Sequence, residues 1–206
     1  MIQALFAPRR FLTWWAVFSI LLLAGGGVAR AQTQADAGAR VEIQAVRFGE
    51  ARGPGGGASW TEVTVDLRIV SGTDGGTYAR WADAVRVALS LAVRKRTGDY
   101  EFFRAAAEAV SLEAGRAAFR FYLPPEIARR EQLTSGEPYA WFVEVTGSGQ
   151  PGLQAASTLL SNAEAVRSFK DRVARDATRN DGVLVPQSQS PFATAYAGET
   201  PTFVRR

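Results

Sequence analysis

Chemistry open to this sequence starts with carboxylates such as Glu62 and Asp66, which could share acid and base roles in glycoside hydrolysis. Both sit in residues 60–70, where Trp60, Val63, Val65, Leu67 and Ile69 alternate with Thr64, Asp66 and Arg68. Solvated acids are the ordinary finding on such a strand face, so no enzyme is expected. Asp74, Asp99 and Glu101 offer oxygen ligands to calcium, but the acidic spacing of an EF-hand loop is missing. The candidate binding residues are Tyr78 and Trp81, in YARWAD after the turn cluster SGTDGGTY. Exposed, they would stack on a sugar ring; packed, they would cap the end of the core. Trp141 falls in phase with a core face and is discounted as a platform.

The missing residue types exclude more than the present ones suggest. The 206 residues contain no histidine and no cysteine. Metal sites of the nitrogen and sulfur kind, Ser-His-Asp or Cys-His nucleophiles, histidine switches and disulfides are therefore out of reach. No cofactor and no metal is expected, and stability must come from burial. The formal charge of +4 arises largely at the N-terminus, where Arg9, Arg10 and Arg30 face no acid within residues 1–31. The rest of the chain is nearly balanced, which is no signature of nucleic-acid binding. A Gly-rich run, GPGGG, precedes a β-rich segment and opens no helix, so it is read as a connection and not as a phosphate cradle.

Residues 1–31 read as a signal peptide: Arg9-Arg10, the apolar run FLTWWAVFSILLLA, a glycine run and the triplet Ala29-Arg30-Ala31. An uncleaved anchor is the alternative, since residues 11–29 just reach the length of a membrane span. Export places the chain in the periplasm or on the surface of a Gram-negative-type bacterium.

The elements that must position any site are strands. In residues 83–94 Val85, Val87, Leu89, Leu91 and Val93 alternate with small or charged residues, the mark of a half-buried strand. Residues 139–146 repeat the pattern with Tyr139, Trp141, Val143 and Val145 inward. Residues 41–48 form a first strand whose alternation shifts after Ala45, which predicts a bulge or a strand changing sheets. Residues 100–112 are alanine-rich, which favours helix locally, yet Phe103, Ala105, Ala107 and Ala109 alternate and predict a strand. Glu113-Ala114-Gly115 then offers a hairpin into residues 115–123, and Pro124-Pro125 ends that strand and starts a short helix.

This spacing predicts an all-β, immunoglobulin-like antiparallel β-sandwich with a C-terminal helix and a flexible tail. The expected organisation is a flexible N-terminus at 32–40, the sandwich at 41–147, a linker and amphipathic helix at 148–185, and a disordered tail at 186–206. Ser161-Asn162-Ala163-Glu164 has the form of a capping box, and Val166, Phe169, Val173 and Ala177 keep helical spacing. Arg167, Arg172, Arg175 and Arg179 lie mainly on the other face, mixed with Asp171 and Asp176, which describes a solvated face.

Three short motifs carry a resemblance: FYLPPE at 121–126, RNDGVLVPQ at 179–187 and PF at 191–192. With the leader and the strand order, they resemble small exported proteins that accompany type IV pilus-like systems in Verrucomicrobia-type bacteria. The resemblance implies an immunoglobulin-like sandwich and an accessory role in pilus assembly or surface adhesion, with a protein partner in the cell envelope such as a pilus or secretin component. The fibre subunit itself is a poor match, because the apolar segment here precedes an A-x-A site. A carbohydrate-binding module using Tyr78 and Trp81 is the competing expectation, with a glycan as partner. In the protein-binding reading, residues 183–192 would donate a strand to a partner or cover a sheet edge.

Overall fold

A computed structural model of the protein describes residues 39–54, 56–72, 80–131, 133, 136–147, 149–196 and 199–204. The chain divides into the units Met1–Gln34 and Ala35–Arg206, and the described residues belong to the second. The expected signal peptide at 1–31 and residues 32–38 of the expected flexible N-terminus lie outside the described residues.

Period-two alternation produces strands wherever it was expected. They are β1 (Arg40–Arg52), β2 (Ser59–Val70), β3 (Trp81–Arg94), β4 (Tyr100–Glu113), β5 (Gly115–Leu123), β6 (Ala140–Gly147), β7 (Gln150–Ala156) and the short β8 (Val185–Pro186). They build two antiparallel sheets, ordered β1-β2-β5-β8 and β4-β3-β6-β7. The inward rows meet between them: Val63, Val65, Leu67, Phe119 and Phe121 from one sheet, Val85, Val87, Leu89, Phe103 and Val143 from the other. This is an immunoglobulin-like sandwich. The bulge expected after Ala45 lies between Ile43 and Ala45 in the β1–β2 register. The alanine-rich β4 is a strand because it pairs along its whole length with β3, a tertiary gain that outweighs its helical preference.

Five expectations are corrected, four about strands and packing and one about the cap of the C-terminal helix. First, β4 and β5 do not form a hairpin. Ala114 turns the corner between sheets, its N–H donating to the Arg80 carbonyl at 2.7 Å, and Gly115 takes φ +139°. Each strand already has a neighbour, β3 for one and β2 for the other, so their apolar faces meet across the core instead. Second, the sandwich does not stop at residue 147. Despite Pro151 and Gly152, β7 pairs with β6 from Phe142↔Ala156 to Gly147↔Gln150; as an edge strand it tolerates a residue without an N–H. Third, Tyr139 is not inward: it precedes β6, is 44% exposed and packs against Tyr100 at 4.5 Å. Trp141 is half-buried, its ring 6.0 Å from that of Phe48.

Fourth, the described part of the 186–206 segment is packed and not a free tail. Val185 and Pro186 pair with Tyr122 and Phe121. Phe192 is 4% exposed, and Phe203 bridges to Ala109 of β4 with its ring 5.5 Å from Phe119. A few large apolar side chains hold such a segment when each enters a place the sandwich has left open. Gln187 reinforces it: its buried amide nitrogen lies 2.7 Å from the Ala195 carbonyl and 3.0 Å from Thr200 Oγ1.

Two helices complete the unit, α1 (Pro125–Arg130) and α2 (Ala163–Asp176). The cap of α2 is Asn162 and not Ser161, its Oδ1 accepting from Ala165 N–H at 2.8 Å. Phe169, Val173 and Ala177 pack on the outer face of the second sheet against Ala92, Phe102, Ala140 and Phe142. Small Ala92 of β3 and Ala140 of β6 leave room for this beside Phe102 and Phe142. The turn after α2 is pinned by Asn180 Nδ2 donating to the Phe102 carbonyl and by Arg104, which grips Asp181 with two 2.9 Å bonds.

Candidate functional site

The residues named from sequence do not assemble into one site. Tyr78 and Asp74 lie outside the described residues. Trp81 opens β3 opposite Glu113 and is 45% exposed, so its ring is a surface feature at the end of a sheet. Among the described residues no second aromatic ring packs against it. Its neighbour Arg80 pairs with Glu113 at 2.9 Å.

Glu62 and Asp66 face outward on β2, four residues apart along an extended strand. That spacing separates their backbones by about 13 Å. Each is also held to its own partner. Glu62 accepts from the Tyr122 hydroxyl at 2.9 Å and from Thr64 Oγ1 at 3.1 Å, while Asp66 is gripped by Arg47 at 2.6 and 2.8 Å. Asp99 is exposed in the turn that Gly98 closes, and Glu101 is paired with Arg130. Among the described residues no group of three or more acidic residues could hold a metal ion.

The outer face of the β1-β2-β5-β8 sheet brings together residues that no single segment announces. At one end Tyr122, fully buried, lies under Phe192 with Ala51 and Trp60 beside it. Burial, and then the hydrogen bond to the Glu62 carboxylate, push the Tyr122 phenol far above its ordinary range. At the other end is an open groove of about 900 Å³, lined by Arg47, Asp66, Arg68, Arg116, Arg120 and Glu199 among others. The Arg47 guanidinium is held charged by its fork onto Asp66. Arg68 and Arg116 lie directly opposite each other across β2 and β5, both exposed. Arg120 is 93% buried along its side chain (7% exposed), with Nη2 on Glu199 at 2.7 Å and the Tyr196 ring 4.1 Å away. Its Nη1 is buried without a hydrogen-bond partner.

Sequence reasoning placed Arg68 on an outward strand face but missed the groove. The available signal was the run of outward arginines in two strands; which strands lie side by side was not written in either.

No protein-family model matches the chain, and no curated protein matches it. Among solved structures, a protein from Akkermansia muciniphila, a member of the Verrucomicrobia, is similar with a TM-score of 0.60 and 15% identity. The likeness covers 82% of this chain and 94% of that one. It shows a shared sandwich fold. Among the described residues no helix is long and apolar enough to cross a membrane.

Proposed function

We propose that this chain is an exported, non-enzymatic interaction module, an accessory protein of a type IV pilus-like or cell-surface assembly that binds a protein partner in the cell envelope. The supporting observation is where the three resembling motifs meet. Phe121 and Tyr122 of FYLPPE pair with Pro186 and Val185 of RNDGVLVPQ, and Phe192 of PF stacks on Tyr122 at 4.3 Å. Residues far apart in sequence are thus matched as one packing unit, which suits a shared build and not a chance run of letters. The verrucomicrobial origin of the structural neighbour accords with the same reading. Residues 183–192, one of the two roles foreseen for them, cover the edge of β5.

Crosslinking in the native cell envelope followed by pull-down tests this. Recovery of pilus or secretin components supports the accessory role; fractionation with the cytosol, leader uncleaved, overturns it. A second reading, glycan binding, is favoured by the exposure of Trp81. Glycan-array binding that Trp81→Ala abolishes would replace the protein partner with a sugar.

A further inference from the structure

We propose that the arginine groove on the outer face of the β1-β2-β5-β8 sheet is a binding site for an acidic polypeptide segment, with Arg68 and Arg116 as its principal unfilled contacts. The inference rests on the interaction-module reading and names the chemistry of the partner. Arg68 stands directly opposite Arg116 on one side and Glu42 on the other, with Glu42 also 3.8 Å from Arg40, so Arg116 faces a like charge across the strands with no acid opposite it among the described residues. The two acids of the groove are already committed, Asp66 to Arg47 and Glu199 to Arg120. Four arginines against two carboxylates leave the lining positive. Arg120, nearly buried in the lining, is already held by Glu199 and the Tyr196 ring, and its unpaired Nη1 is closed to solvent, so it adds fixed positive charge beneath the groove rather than a free donor.

The chain itself shows what kind of carboxylate fits. Glu199, in a turn that its N–H closes on the Tyr196 carbonyl at 2.8 Å, reaches Arg120 while its own side chain stays 69% exposed. A partner segment bearing two or more Asp or Glu residues would extend the same arrangement onto Arg68 and Arg116, whose planar guanidinium groups suit bidentate carboxylate recognition. The groove is open to solvent, which suits an extended chain better than an enclosed small molecule.

The test is fluorescence anisotropy with the full chain and two labelled probes, an oligoglutamate peptide and an oligogalacturonate of similar charge. The expected result is oligoglutamate binding that weakens steeply with added salt and falls at least about tenfold in the Arg68→Ala/Arg116→Ala double variant. Arg167→Ala/Arg175→Ala, on the exposed face of α2, should leave binding unchanged. The groove variant should melt close to the parent, because it removes both the Arg68–Arg116 repulsion and the opposing Arg68–Glu42 attraction at an exposed surface. Equal binding by parent and groove variant overturns the proposal, as does binding of oligogalacturonate alone or of neither probe at low salt. If crosslinking still recovers an envelope partner with the groove variant, the interaction-module reading stands and the groove assignment falls.

Discussion

Tyr122 and Phe192 lie almost face to face, ring centroids 4.3 Å apart and planes 17° from parallel, joining β5 to the segment that closes over it. Trp60 meets the same phenylalanine edge-on at 5.9 Å. Together these contacts hold residues 186–196 against the sheet.

Phe192→Ala should therefore destabilise the sandwich by about 3 kcal/mol, the usual consequence of emptying an aromatic site. Urea unfolding measures the loss. Limited proteolysis should show new cleavage within residues 187–196 under native conditions, while the parent resists. If stability drops but the segment stays protected, Phe192 is ordinary filling and something else fastens the closure.

Tyr122→Phe separates the ring from its hydroxyl. The ring still stacks on Phe192, but Glu62 loses one donor, at a cost of about 1–2 kcal/mol near neutral pH. A phenol whose folded pKa is raised contributes stability that is complete below the unfolded value, about 10, and is lost as pH climbs above it. The gap between parent and variant should thus narrow above about pH 10, read by urea unfolding at neutral and alkaline pH. A gap that widened there would assign the raised phenol to some other environment.

Much of this arrangement is legible in the strands and little of it in the connections. Val85 to Val93 alternate because one face of β3 meets the core, and the shift at Ala45 betrays the bulge because it breaks the same rule. Alternation says nothing about which strands are neighbours. The short Ala114 corner therefore resembled a hairpin although its strands belong to opposite sheets, and Arg68 and Arg116 could not be seen as partners. The segment after Pro186 looked too polar to fold because its apolar residues are isolated; each finds its counterpart in distant strands, Phe192 at Tyr122 and Phe203 at Phe119. Gln187 is polar and wholly buried, a placement that composition argues against and that the hydrogen bonds of its amide nitrogen offset, although its amide oxygen has no partner.

Asp181→Asn tests the fastening of the turn after α2. The hydrogen bonds from Arg104 hold the Asp181 carboxyl below its ordinary range, and the same contact raises the arginine. A carboxylate with a depressed folded pKa stabilises above its unfolded value, about 4, and loses that contribution as pH falls through the folded one. The parent should melt above the variant at neutral pH, and the difference should close below about pH 4. Both residues are well exposed, so added salt should shrink the difference as well. A difference indifferent to pH and salt would point to a packing role for the side chain.

Gly147→Ala should be as severe as Phe192→Ala, although it only adds one methyl group. Ala84 is skipped in the β3–β4 register, which passes from Asp83↔Ser111 to Val85↔Ala109, and the β6–β7 register shifts between Val145 and Gly147. The two irregularities meet: a Cβ on Gly147 would collide with the Ala84 carbonyl oxygen and come within 3.0 Å of Val85 Cα. Gly147 also holds φ +127°, which L side chains avoid, so strain and collision act together. The expected loss is about 3 kcal/mol, measured by urea unfolding. Ala84→Gly should act in the opposite sense, since Ala84 sits at φ +51°, where glycine removes a left-handed penalty of about 1 kcal/mol. Because a Cα hydrogen does not relieve a clash with a carbonyl oxygen, Ala84→Gly should not rescue Gly147→Ala in the double variant. Full rescue would mean that the positive φ of Ala84, and not the approach of the two backbones, limits stability at this corner.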